Sequence, residues 1–394
     1  MAVRKGFRFR IYPTPRQAAR LRAHEDALRF LWNLANEQRL MALARTDKRF
    51  LTAFDQINDL TALRAEVPWL AEVPRNVCAQ LLVELDMARQ RCFKKLGRRP
   101  RWKRRNRDVL GLCEPHPKVW RLDGAGRLRF PKLGPMRIVM HRPLEGKPKT
   151  CTIRRDGDQW FASIVCEIEA SEPAPRTEPV IALDRGITKL VADSDGKTVD
   201  NPKHLEQALG RLRRAQRTVS RRKKGSKNRE KAKIRVMRLH RTVRRQRTHL
   251  LHNLSTGYAK SHGTVVVEKL QIGNMIQNRH LARHIAGAGW DKLVEMLRYK
   301  LAWSGGRLVE VTAAYSSQTC AACGVVDAAS RSGERFCCVS CGHLDHADVN
   351  AAKILKTRAN RSCQPVEGSC CPGAPPRNRK RLRVAKRSSE SSAL

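Results

Sequence analysis

Two Cys-x-x-Cys pairs stand close together near the carboxyl end of the sequence, and an acidic residue follows them within ten residues. The pairs are Cys320 with Cys323 and Cys338 with Cys341, and the acid is Asp348. A two-residue gap lets both thiolates of a turn reach one ion at about 2.3 Å in tetrahedral geometry. Four thiolates close the coordination sphere, so the spacing predicts a structural zinc ion with no open position for catalysis.

Other potential ligands lie beside the four cysteines. Cys337 could replace Cys338, but its three-residue gap to Cys341 fits a metal-binding turn less well. His343 and His346 follow at once, and with four cysteines available we expect them to be surface residues or nucleic-acid contacts.

Three acids occupy comparable places along the chain. Asp184 ends the apolar run 180–183, Glu268 ends the run 264–267, and Asp348 begins an alanine-rich helix. Adjacent parallel strands could bring the first two acids together. Singly, such an acid is more typical of a turn or a helix cap. Together they predict a site for two Mg²⁺ or Mn²⁺ ions, which at about 3.5 to 4 Å apart can activate water for phosphodiester hydrolysis.

The charge of the chain indicates what the site acts on. Lys and Arg total 80 against 36 acids among 394 residues, for a formal charge of +44. Such an excess releases counterions when it neutralises phosphates, so it predicts sequence-independent affinity for DNA or RNA. A merely well-solvated surface would mix both signs more evenly.

Neither a membrane nor a disulfide framework is expected. No stretch approaches eighteen consecutive apolar residues, and the opening MAVRKGFRFRIYP lacks the apolar region of a signal peptide, which favours the cytosol. In that compartment the 13 cysteines are not expected to form disulfides. The scattered cysteines are therefore interpreted as packing or surface residues; they are Cys78, Cys92, Cys113, Cys151 and Cys166.

The first 172 residues are predicted to form a strand, a helical segment and then a β-rich module. Residues 1–12 alternate basic and apolar side chains, as a strand does. Thr14 and Gln17 form a predicted capping box that opens a helix, and a second helix after VPRNV ends in the basic run KKLGRRPRWKRRNR. Residues 111–172 predict a β-rich module with turns at Asp123-Gly124 and Asp156-Gly157.

After the linker SEPAPRTEP, apolar strands and helices alternate. Residues 211–250 contain 18 Lys or Arg against one acid, and two helices joined at Gly225-Ser226 fit this stretch best. Like charges four residues apart cost helix stability, so we expect the hairpin to rest on a phosphate backbone; a basic arm partly disordered until bound is the alternative. An amphipathic helix is predicted over 289–304 and a basic, disordered tail over 358–394, where Cys363, Cys370 and Cys371 belong to no recognised motif.

Eight ordered segments, from about residue 5 to 357, resemble the transposon-encoded TnpB (OrfB) family of RNA-guided nucleases, which is related to compact type V CRISPR effectors. They are FRFRIYPTPRQ, RFLWNLANEQR, FPKLGPMRI, HRPLEGKPKT, ALDRGI, VVVEKL, YSSQTCAACG and FCCVSCGHLDHADVNAA.

The resemblance implies an α/β RuvC-like, ribonuclease-H-type nuclease domain over 178–357, in which Asp184, Glu268 and Asp348 hold the catalytic Mg²⁺ ions. The basic hairpin 203–260 and the zinc knuckle 316–343, a zinc-ribbon insertion, would lie within it. Residues 1–12 and 111–172 would form a wedge module, and 13–110 a helical recognition lobe. The implied partners are a guide RNA from the same locus and a double-stranded DNA target cut beside a short flanking motif. The resemblance also allows a transposase encoded nearby as a further partner.

One departure from the family bears on the site. Many relatives have Asp-Arg-Asp before the Val-Asn-Ala-Ala element, where this chain has His346-Ala347-Asp348. We therefore expect Asp348 to be the third acid, with Asp345 second. Three other functions stay open on sequence grounds: a nuclease-silent RNA-guided repressor, a strand-transfer transposase, and a purely structural RNA-binding protein.

Overall fold

The protein is described by a computed structural model that covers residues 2–46, 50–105, 107–124, 126–169, 171 and 173–362. Most of the predicted tail, with Cys363, Cys370 and Cys371, lies outside these residues. Within the described ranges, no helix is long and apolar enough to cross a membrane.

One strand and four helices make up the first hundred residues. They are β1 (Ala2–Tyr12), α1 (Pro15–Ala44), α2 (Ala53–Glu66), α3 (Pro68–Ala71) and α4 (Arg75–Phe93). The predicted capping box at the start of α1 is confirmed, because Thr14 accepts from the Gln17 amide and Gln17 accepts from the Thr14 amide. The sequence analysis missed α2, although Thr52 and Asp55 form a second capping box there.

Six strands follow: β2 (Leu112–Glu114), β3 (Arg121–Asp123), β4 (Arg127–Phe130), β5 (Gly134–Val139), β6 (Lys147–Asp156) and β7 (Gln159–Glu169). They join β1 in one antiparallel sheet of order β2-β6-β7-β1-β5-β4-β3. As the period of two predicted, Phe7, Phe9 and Ile11 are buried while Arg8 is exposed on the other face. The buried side of this sheet shares one hydrophobic core with α1 and α4.

The second half of the described chain builds a different sheet with long helices. Its elements are β8 (Val180–Asp184), β9 (Lys189–Asp193), β10 (Thr198–Asp200), α5 (His204–Arg221), α6 (Lys227–Ser261), β11 (Thr264–Glu268), α7 (Ile272–Met275), α8 (Ala282–Ala288), α9 (Trp290–Trp303), β12 (Arg307–Val311), β13 (Arg331–Ser332), β14 (Arg335–Cys337), β15 (Leu344–His346) and α10 (Ala347–Ser362). The five-stranded sheet has the order β10-β9-β8-β11-β12. Strands β8, β11 and β12 pair in parallel, whereas β9 pairs antiparallel with both of its neighbours, β8 and β10. This mixed sheet, covered by helices on both faces, agrees with the RuvC-like fold that the resemblance implied.

Successive side chains of β8 and β11 pack on opposite faces of this sheet. Ile181, Leu183, Val265 and Val267 join the core that contains buried residues of α6 and α9. Ala182 and Val266 pack instead with Leu355 and Ala359 of α10. Because strand side chains alternate, residues 184 and 268 belong to the α10 face. The fold therefore directs both acids toward the helix that carries the third.

The basic stretch forms the predicted helical hairpin. Gly225 has a left-handed φ of 85°, and Ser226 caps α6 by accepting from the Arg229 amide at 3.2 Å. The two helices pack through Ala208, Leu212 and Val243. The second half of α6 is anchored in the sheet core, where the Tyr258 hydroxyl donates to Asp193 at 3.1 Å.

Two predicted boundaries need correction. The zinc knuckle extends past residue 343, because β15 pairs with β14 through His346 and leads directly into α10. Helix α10 continues through Ser362, so residues 358–362 are helical rather than part of a disordered tail. Apolar contacts of Ala359 with the sheet core stabilise this last turn of the helix.

Candidate metal centres

Asp184 and Glu268 lie side by side at the carboxyl ends of neighbouring parallel strands. The register of β8 and β11 pairs Leu183 with Val267, and the two acids are the next residue on each strand. Helix α10 packs against the same face, and Asp348 lies in its first turn. The structure thus brings together three acids that are eighty or more residues apart in the sequence.

The electrostatics of the site reflect this crowding. Burial and the negative charges of Glu268 and Asp348 raise the pKa of Asp184 to about 8, against the opposing effect of Arg331 and Arg185. Burial also raises the pKa of Glu268, and the Arg185 charge partly offsets that increase. Repulsion of this kind among carboxylates is what a bound cation would relieve.

Arg185 follows the first acid and holds the second. Its guanidinium donates to the backbone carbonyl of Glu268, and its backbone amide donates to the Glu268 carboxylate at 3.4 Å. The side chain is buried, and its Nε lies 3.8 Å from the same carboxylate. Arg185 therefore fixes the orientation of Glu268 relative to Asp184.

A residue of the zinc knuckle holds the Asp348 side chain. Arg331 of β13 donates to the Asp348 carboxylate at 2.9 Å. Asp345, the second candidate for the third acid, pairs instead with Lys353 at 2.7 Å. Asp348, not Asp345, contributes to the raised pKa of Asp184.

The turn after β8 passes close to the third acid. A methyl group added at Gly186 would lie 2.6 Å from the Lys189 carbonyl and 3.7 Å from the Asp348 carboxylate. The first distance is too short for a real contact, so only glycine lets the chain turn here without moving the backbone beside the acids.

The four predicted cysteines form a compact cluster. Within the part of the chain that the structure describes, they are the one group of three or more His, Cys, Asp and Glu side chains whose ligand atoms all lie within 4.8 Å of one another. The sulfur atoms of Cys320 and Cys341 are 3.7 Å apart, and those of Cys323 and Cys338 are 3.6 Å apart. Tetrahedral zinc with bonds of about 2.3 Å would separate sulfur atoms by about 3.8 Å. The cluster therefore fits a zinc ion without rearrangement.

Neighbouring backbone groups favour the thiolate of Cys338, whereas at Cys341 a backbone hydrogen bond at His343 lowers the pKa but hydrogen bonds from the other cysteines outweigh it and raise the pKa to about 12. The amides of Cys341 and Ser340 donate to Cys338 and lower the pKa of its thiol to about 6. Gly324 and Gly342 close the two turns in the left-handed conformation, donating to the carbonyls of Cys320 and Cys338.

The remaining candidates stay outside the zinc cluster. Cys337 is exposed on β14, which resolves the choice between it and Cys338. His343 faces Asp345 and His346 faces Glu334, each at nearly 4 Å, and neither histidine belongs to the cluster. The five scattered cysteines are free thiols, as expected, with Cys78, Cys151 and Cys166 buried.

Asn350 connects the two centres, and sequence reasoning missed it. Its side-chain amide donates to the Thr319 carbonyl at 2.7 Å and accepts from the Ala321 amide at 2.9 Å. These residues flank Cys320, while Asp348 lies two positions before Asn350 in the same helix. An asparagine amid the alanines of α10 was the available signal, because a buried amide requires partners.

Three family models match parts of this chain. The model described as "Probable transposase" matches residues 163–279, and "Cas12f1-like, TNB domain" matches residues 290–355. A "Helix-turn-helix domain" model matches residues 1–48, whose described part forms β1 and the single long helix α1.

Curated relatives cover nearly the whole chain. A protein of Streptomyces pristinaespiralis with the provisional name of RNA-guided DNA endonuclease is 37% identical over 361 residues, which are 90% of this chain and 89% of the relative. This chain belongs to the TnpB (OrfB) family. A second relative of this TnpB-family chain, from Escherichia coli K12 and with the same provisional name, is 30% identical over 89% of this chain and 91% of its own length.

A solved structure supports the fold of this TnpB-family chain. The chain in a cryo-EM structure of a Cas12f1-sgRNA-target DNA complex matches with a TM-score of 0.58, over 90% of this chain and 99% of that one. The sequences are only 11% identical, so the likeness concerns the fold alone.

Proposed function

We propose that the protein is an RNA-guided, divalent-metal-dependent DNA endonuclease that cuts its target beside a short flanking motif. The observation that carries the proposal is that Asp184 and Glu268 end neighbouring strands of the RuvC-like sheet beside Asp348 of α10, close enough for both Glu268 and Asp348 to act on the pKa of Asp184. The membership in the TnpB family and the provisional names of the relatives support the same activity.

The donor set of this site fits magnesium or manganese. It offers carboxylate oxygens, which hard divalent cations prefer, and a bound cation would offset the burial and the neighbouring acids that raise the pKa of Asp184. Two bound ions would supply an activated water and stabilise the leaving oxygen of the phosphodiester. We assign Asp184, Glu268 and Asp348 as the residues that would hold them.

The surrounding side chains position these ligands. Arg185 holds Glu268 through its backbone carbonyl and carboxylate, and Arg331 holds Asp348. Gly186, two residues after Asp184, lets the backbone pass close to the Lys189 carbonyl beside Asp348. The zinc knuckle has a bracing role, since Arg331 and the partners of Asn350 all belong to it.

The basic hairpin supplies the surface for a nucleic-acid backbone. The arginines of α5 are exposed, and Glu206 is the one acidic residue of this helix. Such a surface neutralises phosphates without reading bases, as a protein needs when base pairing with a guide selects the target. We accordingly propose a guide RNA from the same locus and double-stranded DNA as partners, held also by the wedge module and the recognition lobe.

The test uses the purified full chain with RNA from its own locus. In Mg²⁺ the wild type should cut a DNA target that matches the RNA, and Asp184→Ala should lower the rate by several orders of magnitude. Asp200→Ala is the matched control, because this acid lies on the edge strand β10 of the same sheet and its side chain is largely exposed. Undiminished cutting by Asp184→Ala would contradict the assignment.

The transposase alternative draws on the description of the matching family model. A strand-transfer enzyme also uses a carboxylate triad, but it acts on transposon ends and needs no guide. Joining of cut DNA ends without RNA would favour that function. Tight guided binding with no cutting in Mg²⁺ or Mn²⁺ would favour a silent repressor, against which the three intact acids argue.

A further inference from the structure

A cavity of about 550 Å³ lies in the helical part of the chain, and none of its lining residues belongs to either metal centre. It is enclosed by the end of α1, the end of α4 and the segment that follows α4. Its lining residues are Asn36, Leu40, Leu43, Arg89, Phe93 and Arg99, together with Ala44, Cys92, Lys95 and Pro100. No step of the proposed cleavage reaction uses it.

The lining combines an apolar floor with positive charge. Leu40, Leu43 and Phe93 supply the apolar surface, while Arg89, Lys95 and Arg99 supply three cations. No carboxylate is among the lining residues. A ligand of this cavity should therefore carry a flat or apolar group together with a negative charge.

Arg89 has an unmet hydrogen-bonding capacity at this cavity. Its Nη1 is buried and donates to no other group within the described residues. Burial lowers the pKa of the guanidinium, which remains a cation. A buried donor without a partner costs free energy, and a rotation of the guanidinium toward the cavity would let a bound acceptor relieve that cost.

The wall of the cavity is preformed. It belongs to a basic strap, residues 94–105, in which 8 of 12 residues are Lys or Arg and none is acidic. Trp32 of α1 donates to the Arg101 carbonyl at 3.1 Å, and Asn33 exchanges hydrogen bonds with the backbone of Lys103 at 3.1 and 2.8 Å. These bonds hold the strap against α1 before any ligand arrives.

Two exposed aromatic rings lie at the rim of the cavity. Phe93 is 59% exposed and Phe50 is 66% exposed, and their rings meet edge to face with centroids 6.2 Å apart. Exposed rings among cations are typical of surfaces on which single-stranded bases stack. A wholly apolar partner would leave the surrounding charge of the strap without a counterpart.

We propose that this cavity binds one unpaired nucleotide of the nucleic acid that the protein holds. The base would stack on Phe93 above Leu40 and Leu43, and the phosphate would lie among Arg89, Lys95 and Arg99. The inference rests on the proposed function only for the chemical class of the ligand. RNA and DNA share this chemistry, and the experiment distinguishes them.

The experiment uses the full chain with Asp184→Ala, which prevents cleavage of the probes. Single-stranded uridine RNA and thymidine DNA of 12 nucleotides each carry one photoreactive 5-iodouracil, or an abasic site at the same position. After irradiation, mass spectrometry should map a crosslink to Phe93 or Phe50. Preference for the RNA or the DNA probe identifies the source of the nucleotide.

Substitutions then separate this site from general electrostatic binding. Arg89→Gln should lower the crosslink yield at Phe93 about tenfold, whereas Lys292→Gln on the exposed side of α9, outside the basic hairpin, should leave it unchanged. Phe93→Leu should weaken binding of the intact probe about tenfold and that of the abasic probe much less. Leu96→Ala, an exposed strap residue outside the lining, should alter neither.

Several results would overturn the inference. Crosslinks confined to the hairpin would do so, as would equal losses of the intact and abasic probes in Phe93→Leu. A change of oligomeric mass in that variant would assign the patch to a second copy of the chain. Because Phe93 is largely exposed, its variant should fold and carries the test even if Arg89→Gln does not. Guided cleavage is measured separately with intact Asp184, so its failure would contradict the proposed function and leave this site standing.

Discussion

The ionised carboxylate of Asp184 destabilises the folded protein when no metal is bound. Its ordinary pKa of about 3.9 is raised to about 8 by burial and by Glu268 and Asp348. The folded state therefore binds a proton that the unfolded state releases above about pH 4. Stability contributed through this group is greatest at low pH and falls as the pH rises from about 4 toward 8.

We expect Asp184→Asn to stabilise the protein in magnesium-free buffer at pH 8. Loss of like-charge repulsion should raise the thermal unfolding midpoint by several degrees, given about 2–4 °C per kcal/mol for chains of 150–250 residues. The gain should be much smaller at pH 5 and should vanish only below about pH 4, where the unfolded chain also holds the proton. Scanning calorimetry at both pH values measures this, and an equal gain at both would show that charge is not its cause.

Asn350 determines how firmly the zinc knuckle is attached to the helix of Asp348. In Asn350→Ala the Thr319 carbonyl and the Ala321 amide lose their buried partner, at about 1–3 kcal/mol for each unsatisfied group. We expect faster loss of zinc to a chelator and slower cleavage, with the sheet intact. Asn253→Ala on the exposed side of α6 is the control. Zinc retention equal to that of the wild type would contradict the bracing role.

Among the elements, the basic hairpin is attached to the β-rich module at one turn. Arg238 and Arg241 of α6 donate to the Asp158 carboxylate at 2.9 and 2.7 Å. Although burial opposes it, these bonds lower the pKa of Asp158 to about 2. The stabilisation is therefore complete above about pH 4 and is lost as the pH falls toward 2.

We expect Asp158→Ala to cost about 1–3 kcal/mol at pH 7, because it removes charge-assisted hydrogen bonds to two arginines. Amide hydrogen exchange should increase in the α6 residues near Arg241. Glu230→Ala removes an exposed acid of the same hairpin that pairs with Lys233, and such a pair contributes little. Equal exchange in both variants would contradict this attachment.

The zinc knuckle offers its own internal control in Cys337, which neighbours the ligand candidate Cys338 but lies outside the cluster. Cys320→Ser should abolish stoichiometric zinc binding and lower both thermal stability and cleavage, whereas Cys337→Ser should retain the metal, because its thiol lies outside the cluster. Metal analysis of the purified variants measures this. An inactive Cys320→Ser protein with full stability would assign the knuckle a role other than structure.

At the scale of the whole molecule, the sequence predicted the elements better than their contacts. The apolar runs ending at Asp184 and Glu268 were identified as strands, because continuous hydrophobic stretches are typical of a sheet covered on both faces. The cysteine spacing likewise predicted the zinc cluster. Both signals are local, so a single sequence contains them.

Contacts between distant segments were not predictable in this way. The role of Arg331 depends on how the knuckle folds back on α10, and that of Asp158 depends on a helix that lies 80 residues later. Which face α10 covers is decided by packing of Leu355 and Ala359 against Ala182 and Val266. Helix α2 was missed because its capping box lies in a stretch without a strong apolar stripe.

The central claim is that RNA chooses where this protein cuts. The most direct measurement replaces the target-matching segment of the RNA from its own locus and maps cleavage on DNA that carries both the original and the new target, each beside the same flanking sequence. We predict that cutting moves to the new target and requires Mg²⁺. Cutting that stays at the original target, or that proceeds without RNA, would contradict the claim.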